Sequence, residues 1–149
     1  VIRRDLLLKN KIKFNDKYNC VGDADLFLNI SLISKITLIP EVLAKWRVHD
    51  QSITYNQQDR FITEERDIID RFKQKFKYDK YDYSFELSIW ENRIFYRELM
   101  VIWKNLGSTE LRKKIMKSKK YNFKLIILFC LSFMNFKNFM LIYRIFRKI

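Results

Sequence analysis

Glycine, proline and histidine are nearly missing from this chain: two, one and one in 149 residues. So few turn formers exclude a sheet-rich fold full of tight turns. The expected fold class is mostly α with a few short strands. The two cysteines, Cys20 and Cys130, lie far apart and form no CxxC or Cys/His cluster. Zinc and dithiol-redox motifs are therefore absent. Two free, buried thiols in a reducing compartment are expected instead. No internal repeat or low-complexity linker interrupts the chain, and no acidic residue occurs after residue 111.

This last absence makes the charge uneven. Residues 1–56 carry nine Lys/Arg and six Asp/Glu, residues 57–111 ten and eleven, and residues 112–149 eleven and none. The net charge of +13 is thus a property of the tail. A hydrophobic share of 48% with 16% aromatics is enough to fill a core. The length suits one domain, or one domain with an appendage. The opening Val1-Ile2-Arg3-Arg4, without an initiator Met, leads us to expect a fragment that lacks an N-terminal part.

Hydrophobic spacing predicts helices over most of the chain. A short helix is expected over 5–13, capped by Asp5, and a second over 24–34, with Asp23 as its N-cap and Leu26, Phe27, Ile30 and Ile33 inside. Ile36–Ile39 reads as a short strand stopped by Pro40, and Val42–Val48 as another. Asp50–Asn56 reads as polar loop. From Gln58 to about Phe76 a helix is expected, with Glu64, Glu65, Arg66 and Lys73 on its charged face. A long amphipathic helix follows from Phe85 to Leu106, ended by Gly107. Ser108 then caps a short basic helix.

Chemistry-bearing residues gather between Asp23 and Ser52. A carboxylate at a helix start accepts backbone N–H bonds and stays ionised, and an ionised carboxylate in a cleft can act as a general base. That makes Asp23 the candidate base, although a carboxylate there can equally be only a cap. Asp25, two residues on, braces the loop or binds a cation. Arg47 and His49, beside Trp46 at a strand end, suit phosphate or metal-phosphate contact, or a structural role.

The ordered series Phe14-Asn15-Asp16, Gly22-Asp23-Ala24-Asp25-Leu26, Ile39-Pro40-Glu41-Val42-Leu43-Ala44, Trp46-Arg47-Val48-His49 and Gln51-Ser52 resembles the C-terminal part of the catalytic domain of family 2 glycosyltransferases, which have the GT-A fold. Ile2-Arg3-Arg4-Asp5-Leu6 also looks like a segment of that family. The resemblance covers roughly residues 1–55. It implies an α/β GT-A remnant over 1–56 followed by a helical extension over 57–149. It also implies an inverting transfer of a sugar from a nucleotide-sugar donor to a saccharide or lipid-linked saccharide acceptor. Cell-surface polysaccharide synthesis, such as lipopolysaccharide or capsule, is the setting it suggests. Asp23 maps to the acceptor base, and His49 with Arg47 to the vicinity of the donor diphosphate or its metal. Asp25 and Trp46 take supporting places. A divalent cation, Mg or Mn, is implied, with its main ligands in an N-terminal half. Gly22 stands where many members have Glu, and Asn29 where Arg is common. No Asp-x-Asp of the donor half is present; Asp23-x-Asp25 has that spelling but falls after its place.

The tail, 112–149, admits two readings. Leu125–Phe136 is free of charge, shorter than the about 20 residues a spanning helix needs. It closes the core of the helical region, or it lies on an anionic membrane surface, where each basic residue contributes about 1 kcal/mol. The second reading places the protein in the cytoplasm at the inner face of the cell membrane. A helical module that docks on a membrane or partner without catalysis is the alternative function. Nucleic acid is not expected as a partner: the tail has no glycine-arginine repeats or zinc ligands and is too apolar for a solvated arm.

Overall fold

Apolar residues at helical spacing leave few places for anything but helix. In the computed structural model, which describes residues 2–37, 39–45, 47, 49, 52–76, 81–118 and 122–146, all regular structure is helical. The chain divides into two units, Val1–Tyr83 and Ser84–Ile149. The Gln58–Phe76 helix, grouped by sequence with the 57–149 extension, belongs to the first.

The first unit contains α1 (Arg4–Lys9), α2 (Gly22–Ser31), α3 (Ile53–Asn56) and α4 (Gln58–Phe76). α1 is shorter than expected and has no side-chain cap; Lys11, at φ 53°, closes it in a left-handed turn. α2 buries Leu26 and Ile30, and α4 buries Ile62, Ile68, Ile69 and Phe72, an i, i+6, i+7, i+10 set that falls on one helix face.

Among the described residues neither expected strand forms. Residues 35–37 and 39–45 are irregular, and Ile36, Ile39, Val42 and Leu43 are exposed. Among the described residues no other strand offers a hydrogen-bonding edge, and an isolated strand cannot satisfy its backbone or hide its apolar face. Leu38, Trp46, Val48 and Asp50 lie outside the described residues. Residues Ile53–Asn56, expected as loop, form a single helical turn.

The second unit contains α5 (Ser84–Leu106), α6 (Ser108–Lys117), α7 (Phe123–Leu131) and α8 (Phe136–Phe146). Its core joins Leu99 and Trp103 of α5, Leu111 and Ile115 of α6, and Leu125 and Leu128 of α7. Phe136 and Phe139 of α8 lie against Trp103, with ring centroids at 5.6 and 4.7 Å. Part of the tail therefore closes this core. Ser108 does not cap α6; its hydroxyl accepts from the Trp103 indole N–H at 2.9 Å and donates to the Met134 carbonyl at 3.2 Å. Asn122 caps α7, accepting from the Leu125 N–H at 3.0 Å and from the Tyr96 hydroxyl at 2.6 Å. Arg112 donates to the Ser132 carbonyl at 2.9 Å while lying over the Phe133 ring.

Both cysteines are free, but neither is fully buried: Cys20 is half-buried and Cys130 exposed, on the outer side of α7. The α5–α6 corner turns at Gly107, whose φ of 87° and ψ of 178° are open to glycine and costly for other residues. A Cβ there would meet no neighbour, so the cost is in the backbone alone. Gly107→Ala is expected to destabilise the second unit by about 1–3 kcal/mol, measured as a shift of the urea midpoint at constant m.

Candidate functional site

The start of α2 carries the residues singled out for chemistry, and a carboxylate from another helix fixes where it starts. Glu64 of α4 accepts from three successive backbone N–H groups: Asn19 at 3.1 Å, Cys20 at 2.8 Å and Val21 at 3.2 Å. Arg60, one turn earlier, donates to the same carboxylate at 2.9 Å. Asn19, Cys20 and Val21 are the three residues just ahead of α2, whose own N-cap, Val21, makes no side-chain cap. Asp23 does not cap α2; the helix begins one residue before it. Glu64 and Glu65, expected on the charged outer face of α4, are both buried. A buried carboxylate is tolerated when hydrogen bonds saturate it, as they do for Glu64.

Two further residues on the same face of α4 extend this contact. Asp67 accepts from Lys17 at 2.7 Å and from the hydroxyl of buried Tyr18. Arg71 pairs with Asp25 of α2, and its guanidinium lies over the Tyr18 and Phe72 rings at 5.5 and 5.8 Å. Positions 60, 64, 67 and 71 form one helical stripe that grips residues 17–25.

The electrostatics follow from the contacts. Burial alone would raise the Glu64 pKa, but the amides of Asn19, Cys20 and Val21, together with Arg60, hold it below the usual glutamate range. Hydrogen bonds from Lys17 and Tyr18 lower that of Asp67. Burial and the bond to Asp67 push Tyr18 up to about 12, so its hydroxyl remains a donor at neutral pH. Burial, aided by the negative Glu64, raises Cys20, which keeps that thiol protonated and unreactive.

The two aspartates are separated by this scaffold. Asp25 is 2% exposed and engaged by Arg71 and by the Asn29 amide at 3.3 Å. Asp23 is exposed on the first turn of α2, and its carboxylate makes one hydrogen bond, from the next backbone N–H, Ala24, at 2.8 Å. Arg47 and His49 are exposed in irregular chain, and neither makes a side-chain contact with Asp23 among the described residues. Trp46 lies outside the described residues. No three His, Cys, Asp or Glu residues come together as metal ligands among those described. His49 alone does not fit a cation site, and no step is assigned to one.

Beside α2 opens a cleft of about 590 Å³, with Asp25, Asn29 and Arg71 among its lining. Gly22 connects it to Asp23: a Cβ at Gly22 would stand 3.7 Å from the Phe14 ring, and Phe14 lines the cleft. The arrangement provides a solvent-facing carboxylate on a firmly held helix end and a polar, basic cavity lined by Asp25 and Asn29 of the same helix. Sequence reasoning missed Glu64, Asp67 and Arg71. Their i, i+3, i+7 spacing was the available signal, but it reads equally well as a solvated face. Comparison of the chain with models of protein families, with curated proteins and with solved structures finds no match.

Glu64 is depressed in the folded state, so its contribution is fully present above the unfolded pKa and is lost as pH falls through the folded one. Glu64→Gln is expected to cost about 2 kcal/mol at neutral pH, as for a hydrogen-bonded buried charge. The gap to the parent should close on the acid side of the glutamate range. Urea denaturation of both proteins across pH 3–7, roughly the window where carboxylates titrate, checks this.

Proposed function

We propose that this chain supplies the acceptor side of a family 2-like, GT-A-type glycosyltransferase with Asp23 as the general base. The observation that carries the reading is the division between the two aspartates: Asp25 is held by Arg71, while Asp23 stays exposed on the clamped first turn. An acceptor hydroxyl meeting Asp23 gives its proton to the carboxylate as its oxygen attacks the anomeric carbon. The nucleoside diphosphate leaves from the opposite face, and the configuration inverts. The Ala24 amide holds one oxygen of the Asp23 carboxylate and leaves the other to meet the acceptor hydroxyl. The ordered motifs over roughly residues 1–55 support the same class. Arg47 and His49 would then face the donor diphosphate, and a nucleotide sugar and a saccharide or lipid-linked saccharide would be the substrates.

Location at a membrane surface is supported by the second unit. Among the described residues no helix is long and apolar enough to cross a membrane. Yet Phe123, Ile126, Phe133, Leu141 and Tyr143 are exposed on a segment with eleven basic residues and no acidic ones. Apolar side chains flanked by lysines suit the interface of an anionic leaflet. A helical module that docks on such a surface without catalysis is the second reading, favoured by this same face.

In the polypeptide that carries this segment, Asp23→Asn is expected to lower sugar transfer by about 10²–10⁴-fold while nucleotide-sugar binding stays nearly intact. Retained turnover would falsify the base assignment. Co-sedimentation with phosphatidylglycerol-containing vesicles should be strong at low salt, weaker at high salt, and absent with neutral vesicles. A chain that stays in the supernatant with anionic vesicles has no membrane role through this tail.

A further inference from the structure

The cleft beside α2 has a chemistry that the base at Asp23 does not require. Four basic side chains line it, Lys11, Lys13, Arg71 and Lys75, against two acidic ones, Asp16 and Asp25. Asp25 is already neutralised by Arg71. The three lysines are exposed and make no ion pair among the described residues. Arg71 is fixed by the Tyr18 and Phe72 rings and by Asp25, yet its side chain remains 41% exposed. Among the described residues only one of its five N–H donors, on Nη2, is engaged, and Nε is buried without a partner. A rigid guanidinium with donors to spare, ringed by ammonium groups, is a receptor for a phosphate or carboxylate.

The remaining lining narrows the ligand. Asn10 and Asn29 donate to the Leu6 and Asp25 carbonyls at 2.8 Å and Asn15 accepts from the Lys17 N–H at 3.1 Å, which leaves the Asn10 and Asn29 oxygens and the Asn15 amide hydrogens for hydroxyls. Phe14, 58% exposed, offers an apolar face at the cleft and lies against Gly22, next to Asp23 in the chain. Carboxamides and an aromatic face suit a sugar ring, and the cations suit a charged substituent on it.

We propose that this cleft holds an anionic saccharide, its phosphate or carboxylate on Arg71 and the three lysines and its ring on Phe14. This rests on the transferase reading and specifies its acceptor as a charged sugar. The seat of the charge lies on the side of α2 that carries Asp25 and Asn29, with Phe14 and Asn15 at the same cleft.

The test is a calorimetric titration of the intact chain with glucose 6-phosphate, glucuronic acid, glucose and inorganic phosphate. Either charged sugar should bind about tenfold or more tightly than glucose; which of the two binds separates a phosphate from a carboxylate ligand. A Lys11→Ala/Lys13→Ala/Lys75→Ala variant, altered only at exposed positions and checked for folding by circular dichroism, should lose about tenfold in affinity for that sugar. No binding of either charged sugar, equal binding of glucose, or an unaffected triple variant overturns the proposal. Inorganic phosphate binding as tightly as glucose 6-phosphate overturns the saccharide assignment. Absent cleft binding with transfer abolished by Asp23→Asn refutes the cleft alone, and cleft binding with turnover retained refutes the base alone.

Discussion

The first unit depends on one carboxylate. Glu64 gathers the amides of Asn19, Cys20 and Val21 onto two oxygens and thereby decides where α2 starts. Everything that follows in the helix takes its angular position from that start. Asp25 turns inward to Arg71, Leu26 and Ile30 turn to the core, and Asp23 is left facing water. The loop before α2 has little regular structure of its own, so its conformation comes from α4, more than forty residues later. Burying a charged group in this way is acceptable only because its hydrogen-bonding capacity is filled.

The helices were largely legible in the sequence, and the reasons are local. Gln58–Phe76 and the long helix to Leu106 repeat apolar residues at 3.6 spacing and end at recognisable breaks. Gly107 falls where the chain needs a positive φ. What was not legible is what one element does to another. Asp23 has the right type and place for an N-cap, but the helix begins one residue before it, and the Asp25 amide goes to the Val21 carbonyl instead. Glu64 and Glu65 look like an outer face because charge predicts exposure on average, and a carboxylate saturated by a neighbouring loop defeats that average. The stretches Ile36–Ile39 and Val42–Val48 have strand propensity without, among the described residues, an edge to pair with, so propensity alone does not make a strand.

The candidate site was half legible. The residue types at 23, 25, 47 and 49 are visible in the sequence; the separation of Asp23 from Asp25 is not, because it needs Arg71. The basic cleft was invisible for the same reason. Lys11 and Lys13 follow one helix, Lys75 ends another, and only the packing of α4 against α2 makes them neighbours of one cavity.

In the second unit, the Ser108 hydroxyl both receives the Trp103 indole and gives its proton to Met134. A hydroxyl has a single proton, so committing it to the Met134 carbonyl turns the lone pairs toward the indole. The turn after α7 thus orients the polar contact inside the α5–α6 corner. These pieces are ordered jointly, as one cooperative unit, and loosening residues 132–135 would free the serine rotor and leave the largest buried side chain of the unit with a weakened partner.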